Sequence, residues 1–135
     1  MDWSSVVNTI LSLSREGRFE ELKDFLIRNG ISILDDSPCV VRRAFYVLCV
    51  GDRVTVYYYG GVRSGVVAGF SLDGNHVLII GCRSERPCKT VYPASVYLPS
   101  VISVVFKEFS QFHLTYGARM LQEFAGYSGE SGGEG

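Results

Sequence analysis

The spacing of the apolar residues changes near Gly51, and this change constrains the fold more than any other feature of the chain. Over residues 2–29, apolar residues recur every three or four positions, which is typical of one face of a helix. Between residues 51 and 106, apolar and polar residues largely alternate, which is typical of strands because neighbouring side chains point to opposite faces. The sequence therefore predicts an α+β fold in which helices precede a strand-rich centre.

Two helices are predicted first, over residues 2–14 and 18–29, and they should form a helical hairpin that occupies residues 1–36. Gly17 interrupts the apolar spacing between them. The second helix begins with acidic side chains and is followed by Gly30, which suits the helix dipole and a left-handed C-terminal cap.

Residues 39–50 fit either a helix or a strand. Pro38 could occupy the first position of a helix, which favours helical structure. The segment is nevertheless rich in valine, and it also contains tyrosine and phenylalanine, all of which favour strands. We therefore expect a strand here, with the helix as the alternative.

Five or six short strands are predicted in the strand-rich centre, residues 39–106, with tight turns at Gly60-Gly61 and Asp73-Gly74. An Asp-Gly pair between alternating segments is a strong hairpin signal. Closely spaced strands of this kind predict a central antiparallel small β-barrel or a bent sheet. The predicted strands cover residues 39–50, 53–59, 65–70, 76–80, 90–97 and 101–106.

A C-terminal helix is predicted over residues 107–125, because large apolar residues recur there with helical spacing. The tail, residues 127–135, consists mostly of glycine, serine and glutamate and should be disordered. Together with the preceding elements, the helix completes a single globular domain over residues 1–126. The apolar stripe of this helix comprises Phe109, Phe112, Tyr116, Met120 and Phe124.

The composition indicates a globular protein without affinity for membranes. The chain has 135 residues and a formal net charge of −1, so no strong overall attraction to nucleic acid or anionic lipid is expected. No apolar run reaches the ~20 residues that a membrane-spanning helix needs. Because the N-terminus also lacks the basic region of a signal peptide, we expect a cytoplasmic location. The low count of glutamine and asparagine leans towards a thermophilic source.

The four cysteines, Cys39, Cys49, Cys82 and Cys88, are too few for a disulfide scaffold in a chain of this length. Without a secretory signal, reduced and buried thiols are the expected state. Intracellular proteins of hyperthermophiles do form disulfides, so a Cys82–Cys88 or a Cys39–Cys49 bridge is the alternative.

No metal site, catalytic site or cofactor is predicted, and we do not expect an enzyme. The cysteines lack C-x-x-C spacing, and neither histidine lies at zinc-finger spacing. A zinc site would need the fold to bring His76 to Cys82 and Cys88. Catalysis would need a cysteine to meet His76 or His113, or Asp73 to act beside His76, and nothing in the sequence places these groups together.

The strand-rich centre is basic although the whole chain is not. Residues 39–89 contain seven basic and three acidic side chains, a balance of +4, and six of the seven cations are arginine. Arginine can bind a phosphate with two hydrogen bonds and stack on a base. Exposed tyrosines among arginines are typical of surfaces that bind single-stranded nucleic acid. The candidate nucleic-acid site comprises Arg53, Arg63, Arg83, Arg86, Tyr57, Tyr59, Asn75 and His76.

Two functions follow as hypotheses. The first is a module that binds single-stranded RNA or DNA through this basic surface. The second is a structural or protein-interaction module that self-associates through the last helix or an edge strand, with the arginines as ordinary solvated surface.

Several segments have the pattern of a known barrel. Residues 51–56 fit a first strand and residues 65–70 a strongly bent second strand. Residues 72–78 fit a loop and a third strand, with Asn75 where a base-contacting asparagine often lies, and residues 101–106 fit a closing strand. These segments resemble Sm-like and related SH3-like small β-barrels, which implies a barrel fold and, through Asn75, RNA binding.

The resemblance has one departure, because Tyr97-Leu98-Pro99-Ser100 replaces the Arg-Gly pair that precedes the last strand of the Sm family. In composition, the chain also looks like proteins of archaea or of their viruses, which implies a host cytoplasm as its location in the viral case.

Overall fold

A computed structural model of the chain describes residues 3–31, 38–42, 46–82 and 91–113, together with the single positions 119 and 122. Several predictions fall outside these residues and are not tested by them. They concern Arg83, Arg86, Cys88, and the tail.

Both predicted helices of the N-terminal hairpin are present. Helix α1 comprises Trp3–Arg15 and helix α2 comprises Phe19–Arg28. Gly17 has a φ angle of 71° in the turn between them, where the Arg18 N–H donates to the Leu13 carbonyl at 2.9 Å. The helical spacing predicted from the sequence places the apolar face of each helix against the sheet, with Ile10, Leu22 and Leu26 completely buried.

Residues 39–49 form two strands, which confirms the expectation of strand over helix. Strand β1 comprises Cys39–Arg42 and strand β2 comprises Tyr46–Cys49, and they pair antiparallel as a separate two-stranded sheet. The Val50 N–H donates to the Pro38 carbonyl at 2.7 Å and closes the open end of this hairpin. Backbone pairing therefore stabilises this segment, as its valine content suggested.

Five further strands form an antiparallel sheet in the order β6–β5–β4–β3–β7. From β3 to β6, each strand pairs with the next one along the chain, and β7 returns to lie beside β3. A 3₁₀ turn over Leu98–Ser100 leads from β6 into β7. The strands are β3 (Arg53–Tyr58), β4 (Gly61–Phe70), β5 (His76–Cys82), β6 (Val91–Tyr97) and β7 (Val101–Glu108).

The predicted fold class is wrong in two respects, and the first is the closed barrel. Strands β6 and β7 lie at opposite edges of the sheet, and they do not pair with each other within the described part of the chain. The physical reason is that α1 packs against β4 and β5, and β2 packs against β4. The apolar face of the sheet is thus buried by other elements, so the sheet does not have to close on itself.

The second error is the C-terminal helix over residues 107–125. Lys107 and Glu108 belong to β7, and Glu108 pairs with Arg53 of β3. Helical backbone begins at Gln111, and no helix after β7 is defined within the described residues. Backbone pairing with β3 continues to Glu108, with a register shift between Phe106 and Glu108, so the strand extends past the position where the helix was predicted to begin.

Strands β4 and β5 approach each other unusually closely. A Cβ atom built on Gly65 would lie 2.3 Å from the Ile80 carbonyl oxygen, and one built on Gly81 would lie 2.2 Å from the Ser64 carbonyl oxygen. The pairing of β4 with β5 then shifts register between Val67 and Gly69. Glycine allows the backbones to meet, and the irregularity bends β4, as its glycine-rich sequence suggested.

A second close approach fastens the helices to the start of the large sheet. The Ser14 hydroxyl of α1 is buried and donates to the Val50 carbonyl at 2.8 Å. Gly51 lies directly beneath it with a φ angle of 94°, and a Cβ atom at this position would lie 1.8 Å from the Ser14 Oγ. A side chain at residue 51 would therefore break this contact.

We predict that Gly51→Ala lowers the free energy of unfolding by about 3 kcal/mol, because the added methyl group collides with Ser14 and the backbone adopts a left-handed conformation. Gly17→Ala is the matched control, since Gly17 has a similar φ angle and no atom within 4 Å of its built Cβ. The control should cost about 1 kcal/mol. Equal losses for both variants in urea unfolding would contradict the proposed collision.

Candidate functional site

A buried carboxylate lies where the two sheets and the C-terminal segment meet. Asp52 directly follows the β1–β2 hairpin and is completely buried. Its Oδ2 accepts a hydrogen bond from the Cys49 N–H at 2.9 Å, and its Oδ1 accepts one from the Ser110 N–H at 2.6 Å. The His113 Nδ1 lies 3.2 Å from Oδ2. These three contacts satisfy a group that would otherwise be costly to bury.

The backbone around Asp52 is also bonded on both sides. The Gly51 N–H donates to the Val67 carbonyl at 2.8 Å, and the Val67 N–H donates to the Asp52 carbonyl at 2.9 Å. The Asp52 N–H donates to the Cys49 carbonyl at 3.0 Å. Strand β4 and the β1–β2 hairpin therefore hold the carboxylate in one position.

Cys39 and Cys49 form a disulfide beside this carboxylate. The two residues face each other across β1 and β2, and both are buried. For this pair, the expectation of reduced thiols is wrong and the alternative is correct, because the hairpin register places the two side chains directly opposite each other. Closing a loop of this size stabilises a protein by about 3 kcal/mol in the chain-entropy account.

Aromatic rings from the C-terminal segment cover the disulfide and the histidine. Phe112 packs in one apolar cluster with Cys39 and Cys49, and its ring meets Phe19 of α2 edge to face at 5.2 Å. The His113 ring lies 4.2 Å from the Phe109 ring and 5.3 Å from the Phe106 ring between centroids. We name the set Cys39, Cys49, Asp52, Ser110 and His113 the Asp52 centre.

All side chains of the Asp52 centre are buried. Cys49, Asp52 and His113 nevertheless offer ligand atoms that all lie within 4.8 Å of one another. The sequence predicted no metal site, and the zinc arrangement considered there was His76 with Cys82 and Cys88. Residues 49, 52 and 113 follow no ligand-spacing rule, so only the tertiary structure brings them together.

Those predicted nucleic-acid residues that the structure describes, which excludes Arg83 and Arg86, do not form one cluster. Tyr57 is the second-last residue of β3, and Tyr59 lies in the following turn, where 83% of its surface is exposed. Arg53 shares the Tyr57 face of β3 by strand alternation, whereas Arg63 pairs with Val56 and therefore lies on the opposite face.

Asn75 and His76 lie at the other end of β4, whose ten residues would span roughly 30 Å if straight. The Asn75 Oδ1 accepts a hydrogen bond from Arg42 at 2.5 Å, and the His76 ring packs against Tyr97 with centroids 5.2 Å apart. Both side chains thus contact other parts of the protein at the β4–β5 turn.

Asp73 stabilises that turn from its exposed side. Its Oδ1 accepts hydrogen bonds from the Ser71 hydroxyl at 2.6 Å and from the Asn75 N–H at 2.9 Å. The Ser71 hydroxyl, followed by the Asn75 N–H, lowers the pKa of the Asp73 carboxyl below its ordinary value. Because the charged form is the one held here, the turn presents a carboxylate beside the predicted base-contacting residues, which does not favour a phosphate at this end of the sheet.

An exposed apolar surface lies on the face of the sheet that carries Tyr57. Tyr57 pairs with Val62 of β4 and with Ser103 of β7, and Val105 lies two positions further along β7 on the same face. Ile102 is the extra residue of a bulge in β7 and is 63% exposed. We name Tyr57, Val62, Ile102 and Val105 the outer patch.

The helices of the described part of the chain are too short and too polar to cross a membrane. The prediction from the sequence concerned apolar runs along the whole chain, whereas this observation concerns the described helices alone.

Comparison of the chain with protein-family models, with curated proteins and with solved structures found no match. The function of the chain must therefore be inferred from its own residues and their contacts.

We predict that Asp52→Asn lowers the free energy of unfolding by roughly 3 kcal/mol, because an amide directs donor hydrogens at buried N–H groups that need an acceptor. Asp24→Asn, an exposed position on α2, should change it by less than about 0.5 kcal/mol. Thermal and urea unfolding of both variants measure the difference. An Asp52→Asn protein as stable as the parent would show that the carboxylate does not hold the three segments together.

Proposed function

We propose that the chain is a non-catalytic module that self-associates through the outer patch. One observation carries the proposal: the four uncharged side chains of the outer patch lie exposed and adjacent on β3, β4 and β7. Exposed apolar residues are ordinary when scattered, but a contiguous group on a sheet favours an interface.

A second copy of the chain is the occupant that best suits this patch. The patch is uncharged, so an equally uncharged surface covers it without desolvating an ionic group. In a two-fold dimer, each patch meets the same patch of its partner, and complementarity in polarity follows automatically. Packed sheet faces lie about 10 Å apart, which lets side chains such as Ile102 and Val105 interdigitate.

The two edge strands of the sheet, β6 and β7, differ in how well they suit association with a second copy. Strand β6 carries the exposed Pro93, which has no N–H to donate and is typical of a protected edge. Strand β7 has no proline, and between Val101 and Phe106 it has no charged residue. Along its outer side it pairs with no strand in the described part of the chain. Edge β7 is therefore the one that favours association.

The outer patch lies on a face of the sheet and includes two residues of the edge strand β7, whereas the hypothesis from the sequence named an edge strand itself or the last helix. The form that uses the last helix concerns residues that lie largely outside the described part of the chain. A cytoplasmic location belongs to the proposal as well, and a buried disulfide in such a compartment is most familiar from hyperthermophiles.

We predict that Ile102→Lys weakens dimerisation about 100-fold, because dimer formation would bury an unpaired ammonium group. The parent chain should sediment as a dimer at both low and high salt, since burial of apolar surface is not screened. Analytical ultracentrifugation over a concentration series measures the dissociation constant of each variant.

Ile27→Lys is the matched control, because Ile27 is an isoleucine on α2 with a similar exposure of 56% and lies outside the outer patch. It should leave the dissociation constant unchanged. A parent chain that stays monomeric at high concentration, or equal effects of the two variants, would contradict self-association through this surface.

The residues at the β3–β4 turn suggest a second candidate function, the binding of single-stranded nucleic acid. Tyr59 is almost fully exposed there, and Arg53 and Tyr57 share a face of β3. Strand β5 ends at Cys82 on the same end of the sheet, immediately before the segment that contains Arg83 and Arg86. We propose single-stranded nucleic acid as the alternative partner, with a base stacked on Tyr59 and phosphates near the arginines.

We predict that, if this alternative holds, Tyr59→Ala weakens binding of a labelled single-stranded RNA about tenfold, because one stacking contact is lost. Leu72→Ala is the control, since Leu72 is equally exposed but lies in the β4–β5 turn. Fluorescence anisotropy at low and moderate salt should also show a steep salt dependence. Failure to bind at low salt would exclude this alternative.

A further inference from the structure

The Asp52 centre contains the side chains of a tetrahedral metal site, although in the oxidised chain it cannot act as one. Cys39 and Cys49 supply two sulfur atoms, His113 an imidazole and Asp52 a carboxylate. Two thiolates with nitrogen and oxygen ligands suit Zn²⁺, which prefers four ligands of these types. As long as the two sulfur atoms are bonded to each other, neither is a thiolate.

We propose that reduction of the Cys39–Cys49 disulfide converts the Asp52 centre into a zinc site with Cys39, Cys49, Asp52 and His113 as ligands. The disulfide and the zinc ion are then alternative links between Cys39 of β1 and Cys49 of β2. This inference is independent of the self-association proposed above and concerns a different part of the molecule.

The distances between the ligand atoms fit this assignment. Two oxygen or nitrogen ligands at 2.0–2.1 Å from a tetrahedral zinc lie about 3.3 Å apart. The His113 Nδ1 and the Asp52 Oδ2 are 3.2 Å apart. The Cys49 Sγ lies within 4.8 Å of both groups, and a thiolate ligand would lie about 3.6 Å from them. A side-chain rotation that moves the Cys49 Sγ by about 1 Å would therefore bring it to the distance of a zinc ligand.

Cys39 becomes the fourth ligand because the hairpin places it against Cys49. The two residues are a directly opposed pair of β1 and β2, and both lie in the cluster that Phe112 covers. Two thiolates on one zinc lie about 3.8 Å apart, so the sulfur atoms separate once their bond is broken. Rotation about the Cα–Cβ bonds achieves this separation while the strands stay paired.

The surroundings supply the second shell that such a site needs. The Ser110 N–H donates to the Asp52 Oδ1 at 2.6 Å, which leaves Oδ2 oriented towards His113 and Cys49. The Cys49 N–H also lies 2.9 Å from this carboxylate. The rings of Phe106 and Phe109 hold the imidazole and exclude water from it. Oriented ligands in a dry shell are characteristic of tight metal sites.

The chemistry balances in two steps. A dithiol reductant gives two electrons and two protons to the Cys39–Cys49 bond, which breaks to two thiols, and the reductant leaves as a disulfide. Zn²⁺ then binds both sulfur atoms, and the two thiol protons pass to solvent. The bound ion replaces the lost covalent link between β1 and β2, and its bond to His113 adds a link from this hairpin to the residues that follow β7.

The test uses the full chain with Cys82→Ser and Cys88→Ser, so that Cys39 and Cys49 are its remaining thiols. The protein is reduced with a phosphine, which binds metal weakly, and is titrated with Co²⁺ as a spectroscopic substitute for Zn²⁺. We expect visible bands of tetrahedral cobalt and a thiolate charge-transfer band that saturate at one equivalent. Zn²⁺ should remove them, and the oxidised form of the same protein should show neither.

Substitutions then identify the ligands. Cys39→Ser and His113→Gln should each lower the Zn²⁺ affinity at least about 100-fold. His76→Gln, in the β4–β5 turn, should leave it unchanged. The comparison of oxidised with reduced protein requires no substitution in the site, so it decides the matter even where a variant fails to fold. A reduced chain without a tetrahedral cobalt spectrum, or one whose spectrum persists in the Cys39→Ser variant, would overturn the proposal.

Discussion

The Asp52 carboxylate is the group on which the arrangement of the other elements depends. It joins the β1–β2 hairpin through the Cys49 N–H and the C-terminal segment through Ser110 and His113, which are 58 and 61 residues away in sequence. A buried carboxylate without donors is costly, so each of these partners must be in place before the charge can be buried. One side chain thus joins segments that are far apart in sequence.

The same junction explains why the sheet stays open. In a small barrel, the apolar face of the sheet is buried because the sheet curls onto itself. Here Ile10 and Leu22 of the helices share one core with Phe70 and Ile80 of the sheet. The contacts of Ser14 with Val50 and of β2 with β4 hold the hairpins over that face. Because the helices and the β1–β2 hairpin already cover the apolar face of the sheet, β6 and β7 remain two separate edge strands.

Local patterns were sufficient for the helices and for most strands. The spacing of Leu22 and Leu26 and the turn at Gly17 lie within a few residues of one another, so they are visible without the fold. The end of β7 was misread because Lys107 and Glu108 suit an exposed strand as well as the first turn of a helix. Periodicity alone does not separate these alternatives over two residues.

The candidate sites depend on register and distance, which a sequence does not display. Cys39 and Cys49 meet only because the register of β1 with β2 makes them an opposed pair. Asp52 and His113 follow no spacing rule at all. Among the described residues of the predicted nucleic-acid site, the length of β4 separates Asn75 and His76 from Tyr57 and Tyr59, and the register of β3 with β4 places Arg53 and Arg63 on opposite faces. Composition shows which functional side chains the chain contains, and topology determines whether they lie close enough to form one site.

Strand β7 links the Asp52 centre to the outer patch, because its successive residues point to opposite faces. Phe106 packs against the His113 ring, while its neighbour Val105 belongs to the outer patch. Four regular pairs with β3, over residues 103–106, hold this alternation between two bulges. A slip of one residue would remove Phe106 from the histidine and Val105 from the patch at the same time. The integrity of the buried centre and the presentation of the exposed surface are therefore set by a single strand register.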